Sequence, residues 1–238
     1  MRKYVFLFIS TLFISSLAVQ AQKDSKDKDR IEGSGRVITK EIPVTSFDEL
    51  SVSGIFSVSL VQGNKEELKI EAEDNLQDLF EVKNEGSKLT IGMKKDVNFN
   101  SKVKMKVYIT FKKLKNMDLK TVGNVTSSEN LQFDDLKINN KSVGSVDLKM
   151  TAKNLDIDNK SVGNVKLNGK VENAIIKNKG VGAVYASNLV VQKMDIDNSG
   201  VGHAEVNAEK ELKVKDSFLG KVTNKGKAPV RKMNKVVI

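Results

Sequence analysis

The sequence predicts an all-β fold, a parallel β-helix (solenoid) built from coils of about 20 residues each. A Val-Gly pair, once replaced by Leu-Gly, recurs through the second half of the chain. Apolar and polar residues alternate around every pair, which is typical of strands buried on one face. Only two prolines interrupt the 238 residues. The six repeated glycines are Gly123, Gly144, Gly163, Gly182, Gly202 and Gly220, spaced by 21, 19, 19, 20 and 18 residues.

Residues 1–21 have the composition of a secretory signal peptide. Arg2 and Lys3 precede an apolar run that is short for a membrane-spanning helix and lacks a basic flank on its far side. We expect cleavage after Ala21, which would lower the formal net charge from +10 to +8 because Arg2 and Lys3 leave with the signal. The mature protein is therefore expected to be exported and to be periplasmic, outer-surface or secreted.

Two further segments follow the signal. Residues 22–36 alternate charges of both signs and contain almost nothing that could be buried, so they are expected to form a flexible charged linker. From Val37 onward, short alternating runs are separated by Gly, Asn and Asp. Residues 37–238 are predicted to form a single β-helix domain with a repeat core at 115–224, and only residues 74–80 have a pattern that allows a helical turn.

Each repeat is predicted to be one coil of the solenoid. Positions six and eight before the glycine are mostly apolar, whereas position seven is mostly charged or polar. A coil this short cannot bury its apolar face alone, so consecutive coils must stack in parallel about 4.8 Å apart. A propeller is the competing all-β fold, but its blades need about forty residues or more, and a sandwich lacks such self-similarity.

The position four before the glycine is polar in most repeats. Stacked side-chain amides can hydrogen-bond along the axis and satisfy backbone groups at a corner, so we predict a structural ladder there. The first repeat has Leu119 instead and lacks the rung. The ladder residues are Asn140, Asn159, Asn178, Asn198 and Asp216.

The segment before the repeats resembles a known family. Residues 47–63, FDELSVSGIFSVSLVQG, are similar to the opening signature of the head GIN domain family of "putative auto-transporter adhesins", and residues 68–91 continue the likeness. The resemblance implies a right-handed β-helix in an exported bacterial protein with an adhesin-like role. It implies no catalytic motif, and we expect no cofactor.

The composition excludes several kinds of site. The chain has no cysteine and a single histidine, His203, which removes Cys-His catalysis, thiolate zinc sites and multi-histidine metal sites. His203 lies at a varied position after the glycine, where a tolerated surface residue is expected. Ser142 and Ser161 have no histidine near them in sequence and suit corner hydrogen bonding better than nucleophilic attack. No catalytic and no metal-binding residue is predicted.

Two carboxylate pairs have two alternative interpretations. Asp156 with Asp158, and Asp195 with Asp197, could bind calcium or act as acid and base. In stacked coils, however, Asp158 and Asp197 would each lie beside a lysine of a neighbouring coil, where cross-strand charge pairs form. We predict a charge ladder that pins the register, and no calcium site.

The position three before the glycine holds a lysine in four successive repeats. These like charges would stack about 5 Å apart and repel one another unless an anion lies along them. The competing interpretation is that the flexible side chains spread into solvent and oppose aggregation. We hypothesise a candidate anion-binding stripe, called here the lysine stripe, made of Lys120, Lys141, Lys160 and Lys179.

The predicted function is that of a non-enzymatic, extracytoplasmic β-solenoid that acts as an adhesin-like or envelope-associated binding module. An anionic polysaccharide or the envelope surface is the expected partner, and export argues against nucleic acid. Aromatic residues are few, which disfavours a neutral-sugar site. The alternatives are a polysaccharide lyase or glycoside hydrolase on a β-helix scaffold, suggested by fold analogy alone, and a purely structural domain. The sequence does not identify a protein partner.

Overall fold

The computed structural model describes residues 30–217 and 219–233. The predicted signal peptide and residues 22–29 of the predicted linker lie outside this range. One 3-10 helix, Asp74–Leu79, confirms the helical turn predicted at residues 74–80. The strands are β1 Ile31–Glu32, β2 Val37–Ile42, β3 Glu49–Gly54, β4 Ser57–Gln62, β5 Glu67–Glu73, β6 Phe80–Glu85, β7 Lys88–Met93, β8 Phe99–Asn100, β9 Lys106–Phe111, β10 Asn116–Thr121, β11 Val125–Asn140, β12 Val146–Asn159, β13 Val165–Asn178, β14 Val184–Asn198, β15 Ala204–Asp216, β16 Val222–Asn224 and β17 Val230–Lys232.

The long strands β11 to β15 each cover two sides of a solenoid. In β12, residues 146–152 alternate into the core, Lys153 and Asn154 both lie outside it, and Leu155, Ile157 and Asn159 point inward again. The first part of each long strand forms side B and the second part forms side A. Parallel pairing runs from Val146↔Val165 to Asn159↔Asn178 between β12 and β13. The predicted fold class is therefore confirmed, with about six turns at a spacing of about 20 residues.

The coil beneath the first repeat comes from a distant part of the sequence. Strand β3 pairs in parallel with β10 on side A, and β4 pairs in parallel with β11 on side B. The two strands thus form one complete coil. Side A continues through β7 and side B through β9. The segment that resembles the family signature therefore forms an inner coil of the solenoid.

Antiparallel strands close the N-terminal end. Strand β6 covers β7 on side A, β5 covers β9 on side B, and β2 covers β5 as the outermost strand. At the opposite end β16 and β17 add to β15 in parallel, one on each side. Reversal of strand direction at the N-terminal end stops the repeat geometry from continuing there, which protects the edge from further parallel pairing.

The last part of the predicted linker is ordered. Strand β1 pairs with β8, and the buried Glu73 carboxylate accepts hydrogen bonds from Gly35 N at 2.7 Å, Lys102 N at 3.0 Å and Ser101 Oγ at 2.7 Å. The linker prediction is therefore wrong for residues 30–36. Their charged composition gives no sign of these contacts, because the accepting carboxylate, Glu73, lies 38 residues after Gly35 in the chain.

One hydrophobic core runs along the inside of the coils. Successive inward residues of side A, such as Ile138, Ile157 and Ile176, stack on one another and are no more than 2% exposed. Aromatic residues fill the N-terminal coils, where the rings of Phe56 and Phe80 lie 5.5 Å apart. This core sets the outward direction of the residues between the stacked positions.

Candidate binding surface at the glycine corner

Sides A and B meet at a corner that contains the repeated glycine. We call the residues from four before to two after this glycine the glycine corner. A Cβ atom added at Gly144 would lie 2.2 Å from Gly123 O, and one added at Gly163 would lie 2.4 Å from Gly144 O. Neighbouring coils therefore approach so closely here that no side chain fits, which explains why glycine recurs.

The four predicted asparagine rungs are buried and joined along the solenoid axis. Nδ2 of Asn140 donates to Oδ1 of Asn159 at 2.8 Å, Asn159 donates to Asn178 at 2.7 Å, and Asn178 donates to Asn198 at 2.6 Å. All four side chains are at most 1% exposed. The chain of amides thus satisfies polar groups inside the corner that water cannot reach.

Asp216 does not extend this chain of amides. Nδ2 of Asn198 donates instead to the carbonyl oxygens of Gly202 at 3.0 Å and Gly220 at 2.8 Å. The Asp216 carboxylate accepts two hydrogen bonds from Lys232 Nζ, both at 2.7 Å. The hydrogen bonds from Lys232 lower the pKa of Asp216, and the prediction of a fifth rung is corrected to an ion pair with β17.

The lysine stripe lies on the outside of the same corner. The backbone N–H groups of Lys141, Lys160 and Lys179 each donate at 2.8 Å to the residue four before the glycine in the preceding coil, so the three lysines are in register. All four lysines of the stripe are exposed. Lys160 Nζ lies 3.0 Å from Asp158 Oδ2, and within residues 30–217 and 219–233 no ion pair involves the other three.

The first three lysines of the stripe line a cleft of about 180 Å³. Asp118, Asn139 and Asp158 also line this cleft. Asn139 Nδ2 donates to Asp118 Oδ1 at 2.9 Å, so both carboxylates already have a partner beside the cleft. Three ammonium groups thus face two engaged carboxylates, which leaves the cleft with an excess of positive charge.

A second row of side chains on this corner was not predicted. The residue directly before the glycine, or its equivalent in the β3–β4 coil, is a large aliphatic residue that is between 50% and 62% exposed. Alternation explains the outward direction of this row. The residues four and two before the glycine point inward, so the residue directly before the glycine points outward. We call this row the aliphatic stripe: Ile55, Val122, Val143, Val162, Val181, Val201 and Leu219.

A larger cleft opens at the N-terminal end of the aliphatic stripe. It has a volume of about 470 Å³, and Ile55, Val122, Phe99, Met105 and Lys104 are among its lining residues. The lining combines these apolar side chains with one lysine, two serines and two asparagines. The apolar surface of the stripe therefore continues beyond the corner into a concave site.

The carboxylate pairs lie in rows of mixed charge. Asp197 Oδ2 lies 2.8 Å from Lys215 Nζ, and Asp195 Oδ1 lies 3.6 Å from Lys213 Nζ, each across neighbouring coils. Asp158 differs from the prediction because it pairs with Lys160 of its own coil rather than with a lysine of the next coil. Across residues 30–217 and 219–233, no group of three or more His, Cys, Asp or Glu side chains could hold a metal ion.

The charged and polar groups around this corner lower the pKa of Asp197. Burial raises the pKa, but hydrogen bonds from Lys215 and Ser199 together with the charges of Lys215 and Lys179 outweigh burial and hold it below the ordinary value. The end of the lysine stripe therefore influences the neighbouring row of acids.

The remaining polar residues of the corner have structural contacts. Ser161 Oγ donates to Gly163 O at 2.9 Å, and Ser142 Oγ accepts from Thr121 N at 3.2 Å. The imidazole of His203 packs edge-on against the Tyr185 ring, with the ring centres 5.4 Å apart. The serine hydroxyls are thus engaged within the corner itself.

Comparison with known proteins identifies a family whose profile covers most of the chain. Residues 46–228 match the profile of a protein family described as "Putative auto-transporter adhesin, head GIN domain". No curated protein matches the chain. In the described part of the chain, none of the helical residues forms a segment with the length and apolarity needed to cross a membrane.

Several solved structures share the fold. A "putative adhesin" from Bacteroides fragilis NCTC 9343 is 28% identical, with a TM-score of 0.74 over 85% of this chain and 100% of that chain. A "putative lipid binding protein" from Parabacteroides distasonis ATCC 8503 is 22% identical, with a TM-score of 0.69 over 85% and 95% of the two chains. A "putative adhesin" from Parabacteroides merdae ATCC 43184 is 20% identical, with a TM-score of 0.62 over 86% and 95%.

Proposed function

Since the chain belongs to the head GIN domain family of "putative auto-transporter adhesins", we propose that it is an exported, non-enzymatic binding module that attaches to an anionic polysaccharide or to the anionic envelope surface. The family and the similar structure from Bacteroides fragilis support an adhesin-like role. The observation that carries the proposed ligand class is the lysine stripe, of which three members form no ion pair within residues 30–217 and 219–233. In this proposal, the signal peptide at residues 1–21 directs export of the protein.

The stripe lysines repel one another along the corner. Adjacent coils are about 4.8 Å apart, and two unit charges at that distance repel by about 1 kcal/mol in water. A ligand with evenly distributed negative charge relieves this repulsion in several coils at once, whereas a single small anion relieves it in one or two. The stripe therefore favours a polymeric or surface-bound anion over a small solute.

Retention on an immobilised anionic polysaccharide tests the proposal. The chain that begins at Gln22 is compared with a variant that carries serine in place of Lys120, Lys141, Lys160 and Lys179, at two salt concentrations. Serine is a suitable replacement because Ser199 and Ser217 occupy the same position in the last two coils. The matched control removes the same charge elsewhere, at the exposed lysines Lys83, Lys88, Lys94 and Lys95.

We expect the stripe variant to lose most of its retention and the control variant to keep it, and we expect salt to weaken the wild-type interaction because exposed charges are screened. Equal retention of both variants would contradict the proposal, since net charge alone would then explain binding. The appearance of new reducing or unsaturated ends in the polysaccharide would contradict the non-enzymatic part and support a lyase or hydrolase.

A further inference from the structure

The aliphatic stripe and the lysine stripe occupy the same edge of the solenoid. In the four coils that carry a stripe lysine, the lysine is two residues before the aliphatic residue, and alternation directs both side chains outward. The other three coils have Ser53, Ser199 and Ser217 at that position. Backbone bonds such as Val143 N to Thr121 O at 2.9 Å and Val162 N to Ser142 O at 3.0 Å keep the aliphatic residues in register from coil to coil. Charged and apolar side chains thus form two parallel rows on one corner.

We propose that this corner is a membrane-binding edge, in which the aliphatic stripe enters the interface of a lipid bilayer and the lysine stripe contacts anionic lipid headgroups. The inference rests on the proposed function, because it identifies the anion that the lysine stripe binds as the headgroup of a lipid. It adds a role for the aliphatic stripe, which an anionic polysaccharide does not require.

The dimensions of the stripe suit a flat apolar layer. Seven aliphatic residues stacked about 4.8 Å apart cover about 29 Å along one edge of the solenoid. Every one of them is at least 50% exposed in a protein that buries its inward apolar columns almost completely. A continuous exposed apolar row next to polar side chains is typical of an interaction site.

The combination of side chains favours a bilayer over the other occupants. Amphipathic helices in the membrane interface place an apolar face about 5–10 Å into the headgroup region and use lysine to contact anionic lipids, and this corner presents the same two kinds of side chain. A second copy of this chain packed stripe against stripe would bring two rows of lysines together, which charge repulsion opposes. A polysaccharide would leave the aliphatic row in water, because sugars bind best on aromatic rings.

The cleft at the N-terminal end of the stripe supports the same occupant. Ile55 and Val122 belong to both the stripe and the cleft, and Phe99 and Met105 extend the apolar surface inward. Lys104 lines the same cleft. A lipid whose acyl chain follows the stripe would therefore meet apolar side chains and a cationic group again at that end.

Sedimentation with lipid vesicles tests the inference. The chain that begins at Gln22 contains every described residue and lacks the apolar signal, so it is mixed with vesicles of phosphatidylcholine alone or with phosphatidylglycerol added. The test variant carries threonine at Val122, Val143, Val162 and Val181, which keeps the β-branched shape and strand preference. The matched control carries threonine at the exposed apolar residues Val37, Ile38, Ile175 and Val230, which lie off the stripe.

We expect the wild type and the control variant to bind anionic vesicles. We expect the variant with threonine in the aliphatic stripe to bind at least tenfold more weakly. Circular dichroism and thermal unfolding establish that each variant is folded. Binding to phosphatidylcholine as strong as to anionic vesicles, or equal binding of the stripe variant and the wild type, would overturn the inference.

A site-specific probe reports insertion directly. The chain contains no tryptophan, so Val162→Trp introduces one fluorophore into the stripe and Ile175→Trp introduces one outside it. We expect a blue shift and quenching by brominated lipids for the first variant only. A solvent-like spectrum for Val162→Trp on anionic vesicles would refute insertion.

The polysaccharide experiment separates failure of this inference from failure of the proposed function. Stripe-dependent retention on polysaccharide without vesicle binding would overturn the membrane-binding edge and leave the anionic-glycan module standing. If the lysine-to-serine variant keeps both polysaccharide retention and vesicle binding, the membrane-binding edge and the proposed function are both overturned.

Discussion

Single buried polar side chains determine how the coils are held together. Asn159 donates to Asn178 and accepts from Asn140, and all three amides are buried. An amide that loses its partner in such a place must give up a hydrogen bond without gaining one from water. The asparagine ladder is therefore sensitive at its middle members.

We predict that Asn159→Ala lowers the free energy of unfolding by about 1–3 kcal/mol, because Nδ2 of Asn140 loses its acceptor inside the corner. Urea unfolding followed by circular dichroism measures the change. Asn173→Ala is the control, since Asn173 also donates to a neighbouring asparagine, Asn154, at 2.9 Å, but at an exposed position. A loss as large for the control as for Asn159→Ala would contradict the buried-ladder explanation.

The buried Glu73 carboxylate ties the start of the domain to its core. Burial raises the pKa of Glu73, but hydrogen bonds from Ser101 Oγ and the backbone N–H groups of Gly35 and Lys102 outweigh it, and the pKa lies below the ordinary value of 4.5. A carboxyl group with a lowered pKa in the folded state stabilises the protein fully above its unfolded-state pKa. That stabilisation is lost as the pH falls through the folded-state pKa.

We therefore predict that stability declines below pH 4.5 and that Glu73→Gln makes this decline shallower while lowering Tm at neutral pH. The decline will not vanish, because hydrogen bonds from Ser34 and Arg36 also lower the pKa of Asp74, to about 2. Thermal unfolding across an acid pH series measures both effects. Glu81→Gln, at an exposed position of β6, should leave the profile unchanged, and an identical effect of both variants would disprove the role of Glu73.

At the scale of the structural element, the glycine corner joins two sides of every coil. The strands on either side are held by parallel pairing, as in Ile157↔Ile176 on side A and Val146↔Val165 on side B. At the corner between them, the backbone of one coil lies directly against the backbone of the next coil. This close approach explains why the same glycine recurs even where the surrounding residues vary.

We predict that Gly163→Ala lowers the free energy of unfolding by about 1–3 kcal/mol, because the new Cβ would lie 2.4 Å from Gly144 O and the backbone would have to move. Gly92→Ala is the control, because its nearest non-neighbouring atom would be 3.9 Å away. We expect the control to change stability by less than about 0.5 kcal/mol. A similar loss in both variants would show that the close approach to Gly144 O does not set the cost.

At the scale of the whole molecule, the solenoid has two different ends. Antiparallel strands cover the N-terminal end, whereas β16 and β17 extend the C-terminal end in parallel. Strand β17 pairs with Leu212–Val214, and the buried Ala228 lies just before it. Without β17 this stretch of β15 would present open backbone groups beside an apolar core, which favours association between chains.

We predict that truncation after Asn224 produces dimers and larger aggregates in size-exclusion chromatography, because it removes β17 and the bond from Lys232 to Asp216. The matched control is truncation after Met233, which retains β17. A truncated chain that remains monomeric like the control would show that β17 does not protect the edge.

The sequence by itself determined the repetitive half of this protein. Parallel stacking converts a spacing of about 20 residues into contacts between equivalent residues, so local periodicity alone predicts which side chains stack. The six glycines, the inward aliphatic columns and the positions of the asparagines and lysines all follow from it. The same alternation directs Val143 and Val162 outward. Their exposure was not predicted, because apolar residues in a repeat are expected to be buried.

Only the tertiary structure decided the rest. The β3–β4 coil beneath β10, the antiparallel cap and the anchoring of residues 30–36 by Glu73 depend on pairings between distant segments, which no repeat specifies. The partners of Asp158 and Asp216 were likewise set by which cation lies nearest in space. The asparagine ladder ends at Asn198 because that amide donates to two backbone carbonyl oxygens. Periodic contacts can be predicted because they are copies of one local pattern, whereas end caps and ion pairs occur once and depend on the folded chain.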